Sequence, residues 1–277
     1  GENPYACASD ILKMWQDKGI LKIEDKPAIY IYEEEFSVGN TRKSIKGIIA
    51  RVQLEEFSKG IILPHEFTLS KAKEDRLNLM KATNCNFSQI YALYMDEKHT
   101  TLATIDEQSK AKADLEFTDE TGVTHRLWIE TDEEIIAKLV ADFADRKLYI
   151  ADGHHRYETA LNYRNYCREN GISKPGDPQD FQMIYLVDME HPGLVVFPTH
   201  RLVRDLPNFD KEAVLEKCSE FFYIDEKEGT DTMEEDLKKL YDEGKKAFGF
   251  YCGKGEWFLL TGPQIGRAVQ QECRDRS

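Results

Sequence analysis

Residues 148–161 read LYIADGHHRYETAL, and we expect the fold to be organised around this stretch. A short apolar run ends in Asp152-Gly153, and a helical pattern begins directly after it. Because glycine adopts backbone angles that a residue with a Cβ resists, Asp-Gly predicts a tight turn between a strand and a helix. The first amides of that helix lack partners within the helix and, together with the helix dipole, attract an anion.

Three residues with donor nitrogens follow the turn, namely His154, His155 and Arg156. Arginine can bind a phosphate or a carboxylate through two parallel hydrogen bonds. The alternative is a basic helix start that pairs with a neighbouring acidic loop. We favour the anion site because three cationic or titratable residues coincide at one turn.

Composition narrows the class of ligand. The chain has 37 Lys and Arg against 51 Asp and Glu, a net charge of −14, which argues against non-specific binding to nucleic acid or anionic membranes. A small anionic ligand in a local basic pocket fits this balance better.

No apolar run is long enough to cross a membrane, and no signal peptide is visible at the start. The cysteines are scattered without a C-x-x-C pair, so we expect reduced thiols and a cytoplasmic location. The oligomeric state stays open.

The spacing of apolar residues predicts an α+β fold with mixed sheets and flanking helices. We expect a main α+β domain over residues 1–205 to carry the site, and a smaller α/β subdomain over 206–277. Residues 100–117 are predicted to be mostly helical, and residues 131–134 to form a capping box before another helix. The other predicted helices cover 5–17, 70–82, 154–170, 209–221 and 231–243, and the predicted strands cover 28–32, 45–54, 89–95, 122–130, 148–152, 181–188 and 194–197.

Three distant segments each place polar groups at the end of an apolar run: His65-Glu66, 152–156 and 199–201. Ligand clefts of α/β structures form at strand ends, so we expect the three segments to meet in one cationic cleft. Taken singly, each residue has a structural explanation. His200 alone is more often an ordinary hydrogen-bonded histidine than a catalyst, and Arg76 is expected to pair with acids on its own helix.

If the segments meet, their roles divide by chemistry. The turn amides at Gly153 would hold a phosphate, and Glu66 would take a proton from an attacking hydroxyl. Asp152 would hold a divalent cation or orient a histidine. The predicted site residues are His65, Glu66, His154 and His200 for catalysis, Asp152, Gly153, His155, Arg156, Thr199 and Arg201 for cofactor binding, and Asp152 for a metal ion.

Six motifs of the chain belong together: PHEFT at 64–68, EDRL at 74–77, FSQIYALY at 87–94, HRLW at 125–128, YIADGHHRYETA at 149–160 and PTHRLV at 198–203. Their combination makes the chain resemble the domain of unknown function 1015 (DUF1015) family. The likeness runs over roughly residues 5–225, and because family members are usually longer at both ends, it implies an internal portion of a longer protein.

The turn itself is similar to the phosphate-binding turn of the ParB/sulfiredoxin-like group, which includes free-serine kinases. Sulfiredoxins place a cysteine in this turn, whereas this chain has His154 and His155 there. ParB proteins carry a DNA-reading helix-turn-helix, and the sequence shows none. Of the three members of this group, the resemblance therefore implies a phosphotransferase of the free-serine-kinase kind. Such an enzyme would use ATP or ADP with Mg²⁺ and act on a small hydroxylated metabolite.

Two other functions stay open. One is a nucleotide- or phosphate-binding regulatory module that uses the same turn without chemistry. The other is a phosphohydrolase in which His154 or His155 acts as acid, base or nucleophile. No residue identifies serine as the acceptor.

Overall fold

The structure is a computed structural model that describes residues 3–66, 70–196, 200–230 and 232–262, with the backbone alone at 70–72. The chain divides into two compact units, Gly1–Phe197 (unit 1) and Pro198–Ser277 (unit 2). The predicted boundary at 205/206 stays a prediction, since contacts between segments do not by themselves define a functional domain. The predicted α+β fold, with a mixed sheet and flanking helices, is confirmed.

Unit 1 is built on an eight-stranded mixed sheet. The strand order is β3-β7-β4-β8-β2-β1-β6-β5. The pairs β3–β7 and β4–β8 are parallel, and every other neighbouring pair is antiparallel. The strands are β1 (Ile29–Val38), β2 (Thr41–Gln53), β3 (Ile62–Leu63), β4 (Ile90–Tyr94), β5 (Leu115–Thr118), β6 (Thr124–Glu130), β7 (Leu148–Asp152) and β8 (Phe181–Asp188).

Helices pack against one face of this sheet. Tyr157, Leu139 and Ile105, each from a different helix, join strand residues such as Ile150 and Ile184 in the main core. A second cluster on the opposite face contains Tyr185 and Val187 in β8, which alternate with residues of the main core as the pleat requires. The helices of unit 1 are α1 (Pro4–Asp17), α2 (Ser70–Thr83), α3 (Thr100–Gln108), α4 (Glu133–Asp142) and α5 (His154–Glu169).

Two sequence-based predictions in unit 1 are wrong. The helix predicted over 100–117 ends at Gln108, because Leu115–Thr118 pairs with β6 as an edge strand. The strand predicted over 194–197 is irregular at 194–196, and Phe197 lies outside the described residues. Leu194 instead follows a turn, with its amide donating to the carbonyl of His191 at 2.9 Å, and packs against the second cluster. Its apolar character reflects that packing.

The start of α4 differs in detail from the predicted capping box. Asp132, one residue after the expected capping position, is the N-cap. Its Oδ1 accepts hydrogen bonds from the amides of Glu134 at 2.8 Å and Ile135 at 3.2 Å. Two of the amides that the first turn leaves unpaired are satisfied in this way.

Unit 2 has the order of one helix, one strand, an acidic helix and two strands, with its helices near the predicted 209–221 and 231–243. Its antiparallel sheet has the order β10-β11-β9. Met233 and the run 258–260 supply its buried apolar side chains. None of the helices in the described parts of the chain combines the length and apolar character needed to cross a bilayer. The elements are α6 (Lys211–Ser219), β9 (Tyr223–Lys227), α7 (Met233–Asp242), β10 (Ala247–Gly253) and β11 (Glu256–Thr261).

Candidate functional site

The turn between β7 and α5 has the geometry that the Asp-Gly pair predicts. Gly153 has φ +100°, and α5 begins at the next residue. The amide of Tyr157 closes the first helical turn on the carbonyl of Gly153 at 2.9 Å. A Cβ on Gly153 would lie 3.0–3.1 Å from the Nε, Cζ and Nη2 atoms of Arg156. The glycine is therefore required both by the backbone and by the guanidinium that folds over the turn.

Arg156 is fixed by three partners inside the protein. Its Nη1 donates to Ser88 Oγ at 2.8 Å and to the carbonyl of Gln89, and its Nη2 pairs with the carboxylate of Asp152. These bonds tie the end of β7 to the segment that precedes β4. The carboxylate predicted to hold a metal ion is thus already matched with a guanidinium.

His65, Glu66 and His154 form a cluster beside the same turn. The amide of His65 donates to His154 Nε2 at 3.1 Å, and the two rings meet edge to face with centroids 4.4 Å apart. Glu66 spans both rings: its Oε1 lies 3.8 Å from His65 Nε2, and its Oε2 lies 3.8 Å from His154 Nδ1. An exposed carboxylate is therefore placed against two imidazoles at the start of α5.

The hydrogen bonds in this cluster define the tautomer of each ring. His65 Nδ1 lies 2.8 Å from the carbonyl of Ile150, which can only accept, so Nδ1 carries a proton and, in the neutral ring, Nε2 has the lone pair. His154 accepts at Nε2, so in the neutral ring its proton is on Nδ1 and faces Glu66. Burial, followed by the neighbouring His65, lowers the pKa of His154, which keeps this ring neutral at neutral pH.

These contacts suit the two histidines to different roles. His154 is 3 % exposed and both of its nitrogens face groups within the protein, an arrangement suited to holding Glu66 and His65 in place. His65 is exposed, and the lone pair of its Nε2 is on the side of Glu66. Acid–base chemistry therefore suits His65 and Glu66 better than His154.

Two of the three predicted segments meet, since His65-Glu66 and 152–156 surround one turn. His155 is half-buried in the first turn of α5, where its carbonyl accepts from Thr159 Oγ1 at 2.6 Å. His200 and Arg201 belong to unit 2, where both are exposed on irregular backbone. Thr199 lies outside the described residues. The roles predicted for these three residues stay predictions.

A cleft of about 400 Å³ lies over the second cluster, on the opposite face of the sheet from the helices. Its floor includes Tyr91 stacked on Tyr185, with centroids 5.5 Å apart, and Tyr32 edge-on to Tyr185 at 5.3 Å. Burial raises the pKa of Tyr91 to about 12, so its phenol is a hydrogen-bond donor at neutral pH. Asp152 and Arg156 line the same cleft.

These tyrosines are not among the site residues predicted from the sequence. Tyr32, Tyr91 and Tyr185 lie in three predicted strands, and the signal that could have found them is an aromatic residue repeated on one face of each strand. Only the order of the strands brings them together.

Tyr32 also belongs to a chain of titratable groups. Its hydroxyl lies 2.9 Å from Glu34 Oε1 and 2.6 Å from His125 Nδ1, and His125 Nε2 lies 3.1 Å from Asp119 Oδ2. Hydrogen bonds from Thr121 and then His125 hold the pKa of Asp119 well below its usual range. Asp119 is therefore ionised and accepts from Nε2. The Tyr32 hydroxyl donates to Glu34 Oε1, and its contact with His125 Nδ1 completes the chain.

The described lining of this cleft is not predominantly cationic, and the predicted meeting of three segments in one cationic cleft stays a prediction. The charged residues there are Glu34, Asp152 and Arg156, two carboxylates and one guanidinium. Within the described ranges no group of three or more His, Cys, Asp and Glu side chains could hold a metal ion. The predicted Mg²⁺ site at Asp152 stays a prediction.

A smaller cavity of about 120 Å³ lies on the other side of Arg156, between α2 and α5. Arg76 lines it, and the expectation that Arg76 pairs with acids on its own helix is wrong, because in the described part of the chain it forms no ion pair. The sequence predicts no functional role for Arg76, although Arg76 lies in the EDRL motif. The other described lining residues are Leu79, Met80, Cys85, Asn86, Phe87, Ser88, Arg156, Thr159 and Gln182.

The fold and site together define an α+β protein with a mixed sheet and a candidate site built on a strand–glycine–helix turn. The sequence model of the family described as "Protein of unknown function (DUF1015)" matches residues 1–273, and the chain belongs to that family. A search of curated proteins and a search of solved structures each gave no match.

Proposed function

We propose that unit 1 is a nucleotide-dependent phosphotransferase that acts on a small hydroxylated metabolite. The observation that carries the proposal is the placement of Glu66 against two imidazoles beside the helix start where Arg156 is fixed. A base and a phosphate-binding cation at one helix N-terminus are the two parts that such a reaction needs most.

Phosphoryl transfer depends on positioning and on neutralising charge. The amides at the start of α5 and the guanidinium of Arg156 would bind the nucleotide phosphates. The acceptor hydroxyl would attack the terminal phosphorus and lose its proton to Glu66, while the bond from phosphorus to the bridging oxygen breaks and leaves the shortened nucleotide. His154, whose Nδ1 proton faces the carboxylate, would hold Glu66 in place.

Mg²⁺ is compatible with this site only together with the nucleotide. Mg²⁺ is usually bound by one or two carboxylates plus substrate phosphates, and Asp152 is one carboxylate already paired with Arg156. When bound, the ion would neutralise phosphate charge. We therefore expect no tight Mg²⁺ binding without nucleotide.

The likeness of residues 152–156 to the phosphate-binding turn of ParB/sulfiredoxin-like proteins supports the same proposal and implies ATP or ADP as the nucleotide. The described cysteines are free, in keeping with a reducing compartment such as the cytoplasm, which we propose as the location. A net charge of −14 supports a small ligand rather than nucleic acid or a membrane as the partner.

The test is calorimetric titration with ADP, ATP and CTP, with and without Mg²⁺, followed by assays of phosphate transfer. Glu66→Gln should keep nucleotide affinity and lose turnover, whereas Glu97→Gln, an exposed carboxylate outside the site, should change neither. Unchanged turnover in Glu66→Gln would remove the assigned base. Affinity without any turnover in the unaltered protein would point to a regulatory binding module, and no heat from any nucleotide would end the proposal.

A phosphohydrolase is the second candidate, and one observation favours it. The bond from His65 Nδ1 to the carbonyl of Ile150 orients the ring and leaves Nε2 as an accessible base. Release of phosphate without an acceptor, abolished by His65→Ala and retained in Glu66→Gln, would favour hydrolysis over transfer.

A further inference from the structure

The smaller cavity is separate from the proposed phosphate turn, although the two share a wall. Arg156 and Ser88 line both this cavity and the larger cleft. Its volume of about 120 Å³ corresponds to roughly four water molecules at ~30 Å³ each. Phe87 and Arg76 are exposed, so the cavity is open to solvent. A group of a few heavy atoms fits this space.

The charged groups in the described lining of the cavity are two guanidinium groups, and only one of them has an ion-pair partner. Arg156 is paired with Asp152, but Arg76 has no ion pair or hydrogen bond among the described residues. No carboxylate belongs to the described lining of this cavity. The larger cleft, in contrast, has two carboxylates beside Arg156. An anion would therefore be attracted to the smaller cavity more than to the cleft.

The neutral polar groups of the cavity are mostly donors. Ser88 Oγ accepts from Arg156, which leaves its own proton to donate. Asn86 Oδ1 accepts from the amide of Met183 at 2.8 Å, so its NH₂ group is left without an acceptor among the described residues. With Arg76 they form a set of donors that matches an oxyanion.

We propose that this cavity is a binding site for a small oxyanion, such as a phosphate group or a small carboxylate. Arg76, Ser88 and Asn86 bind the oxyanion. The site goes beyond the proposed nucleotide turn and does not depend on it, since Arg76 and Asn86 play no part in the proposed phosphoryl transfer.

The test is titration of the full chain with inorganic phosphate, glycolate and sulfate, followed by NMR or calorimetry. Arg76→Gln should weaken phosphate binding roughly 10- to 100-fold, whereas Arg42→Gln, which removes the same charge from β2 outside the cavity, should leave it unchanged. Equal affinity in the two variants would overturn the proposal, as would the absence of binding by both phosphate and glycolate.

The choice of anion identifies the class of ligand. Phosphate or sulfate preferred over glycolate points to a phosphoryl or sulfuryl group, and the reverse points to a carboxylate. Either preference supports the site when Arg76→Gln weakens the binding.

Discussion

Gly153 shows how one residue can serve both the backbone and the site. Its φ of +100° lies where a Cβ is strained, and the space that a Cβ would take is occupied by the guanidinium of Arg156. Because Arg156 is held there by Asp152 and Ser88, the turn and the cation are fixed together. Substitution of the glycine should therefore affect stability and ligand binding by separate routes.

We expect Gly153→Ala to lower the free energy of unfolding by about 1–3 kcal/mol and to weaken nucleotide binding by displacing Arg156. The matched control is Gly176→Ala, since Gly176 has φ +94° but nothing within 4 Å of its Cβ position. Chemical denaturation should show a loss in both variants, and calorimetry should show weaker binding only in Gly153→Ala. Equal nucleotide affinity in the two variants would contradict the role given to Arg156.

At the scale of single residues, the sequence predicts the features that depend on neighbouring positions in the chain. Asp152-Gly153 was sufficient to predict the turn and the helix start, because turn chemistry depends on neighbouring residues. It could not predict that Arg156 bonds to Ser88, 68 positions away, or that His65 donates to His154, 89 positions away. Those partners are set by the strand order, which is not in chain order.

Among the elements, the parallel pair β4–β8 organises the other end of the sheet. Tyr94 lies opposite Asp188 where the two strands end, and Asp188 is fully buried. His99, the N-cap of α3, has φ +50° and its Nδ1 lies 3.1 Å from Asp188 Oδ2. The second nitrogen of His99 lies 3.7 Å from Glu190. A helix start is thus attached to a strand end through one titratable ring.

This attachment predicts a pH-dependent contribution to stability. The hydrogen bond to Asp188 raises the pKa of His99 above its unfolded value of about 6.5. Its stabilising contribution is therefore complete below pH about 6.5 and is lost as pH rises through the folded pKa. His99→Asn removes the ring and tolerates the left-handed backbone. Urea unfolding should show a larger difference between the two proteins at pH 5.5 than at pH 9, and an equal difference would contradict the assignment.

Element types were largely predictable, but their arrangement was not. Runs of apolar and aromatic residues predicted strands at β1, β4 and β8, since strand composition is a local property. The strand predicted at 28–32 covers only the start of β1, which continues to Val38. The edge strand β5 was missed because its four residues are all exposed and carry no burial pattern. The stacking of Tyr91 on Tyr185 follows from parallel pairing, which no local pattern specifies.

Across the whole molecule, the candidate site is assembled only when the sheet of unit 1 is complete. The proposed base follows β3, the proposed phosphate turn joins β7 to α5, and Ser88 precedes β4. These segments are far apart in sequence and adjacent through the order β3-β7-β4. A ligand at this site should therefore bind the folded unit and not the unfolded chain, which makes its binding measurable as stability.

Unit 1 contains a suitable reporter of that stability in Trp128, which is 7 % exposed in β6, while Trp15 is exposed and Trp257 belongs to unit 2. In a Trp15→Phe, Trp257→Phe background, fluorescence reports the fold around Trp128 alone. ATP at about 100 times its Kd should stabilise unit 1 by about 2.7 kcal/mol and raise the melting midpoint by several degrees. Adenosine, which lacks the phosphates, should give a much smaller shift. Equal shifts would mean that the base and sugar, not the phosphates, are what the protein recognises, and the proposed phosphate turn would lose its role.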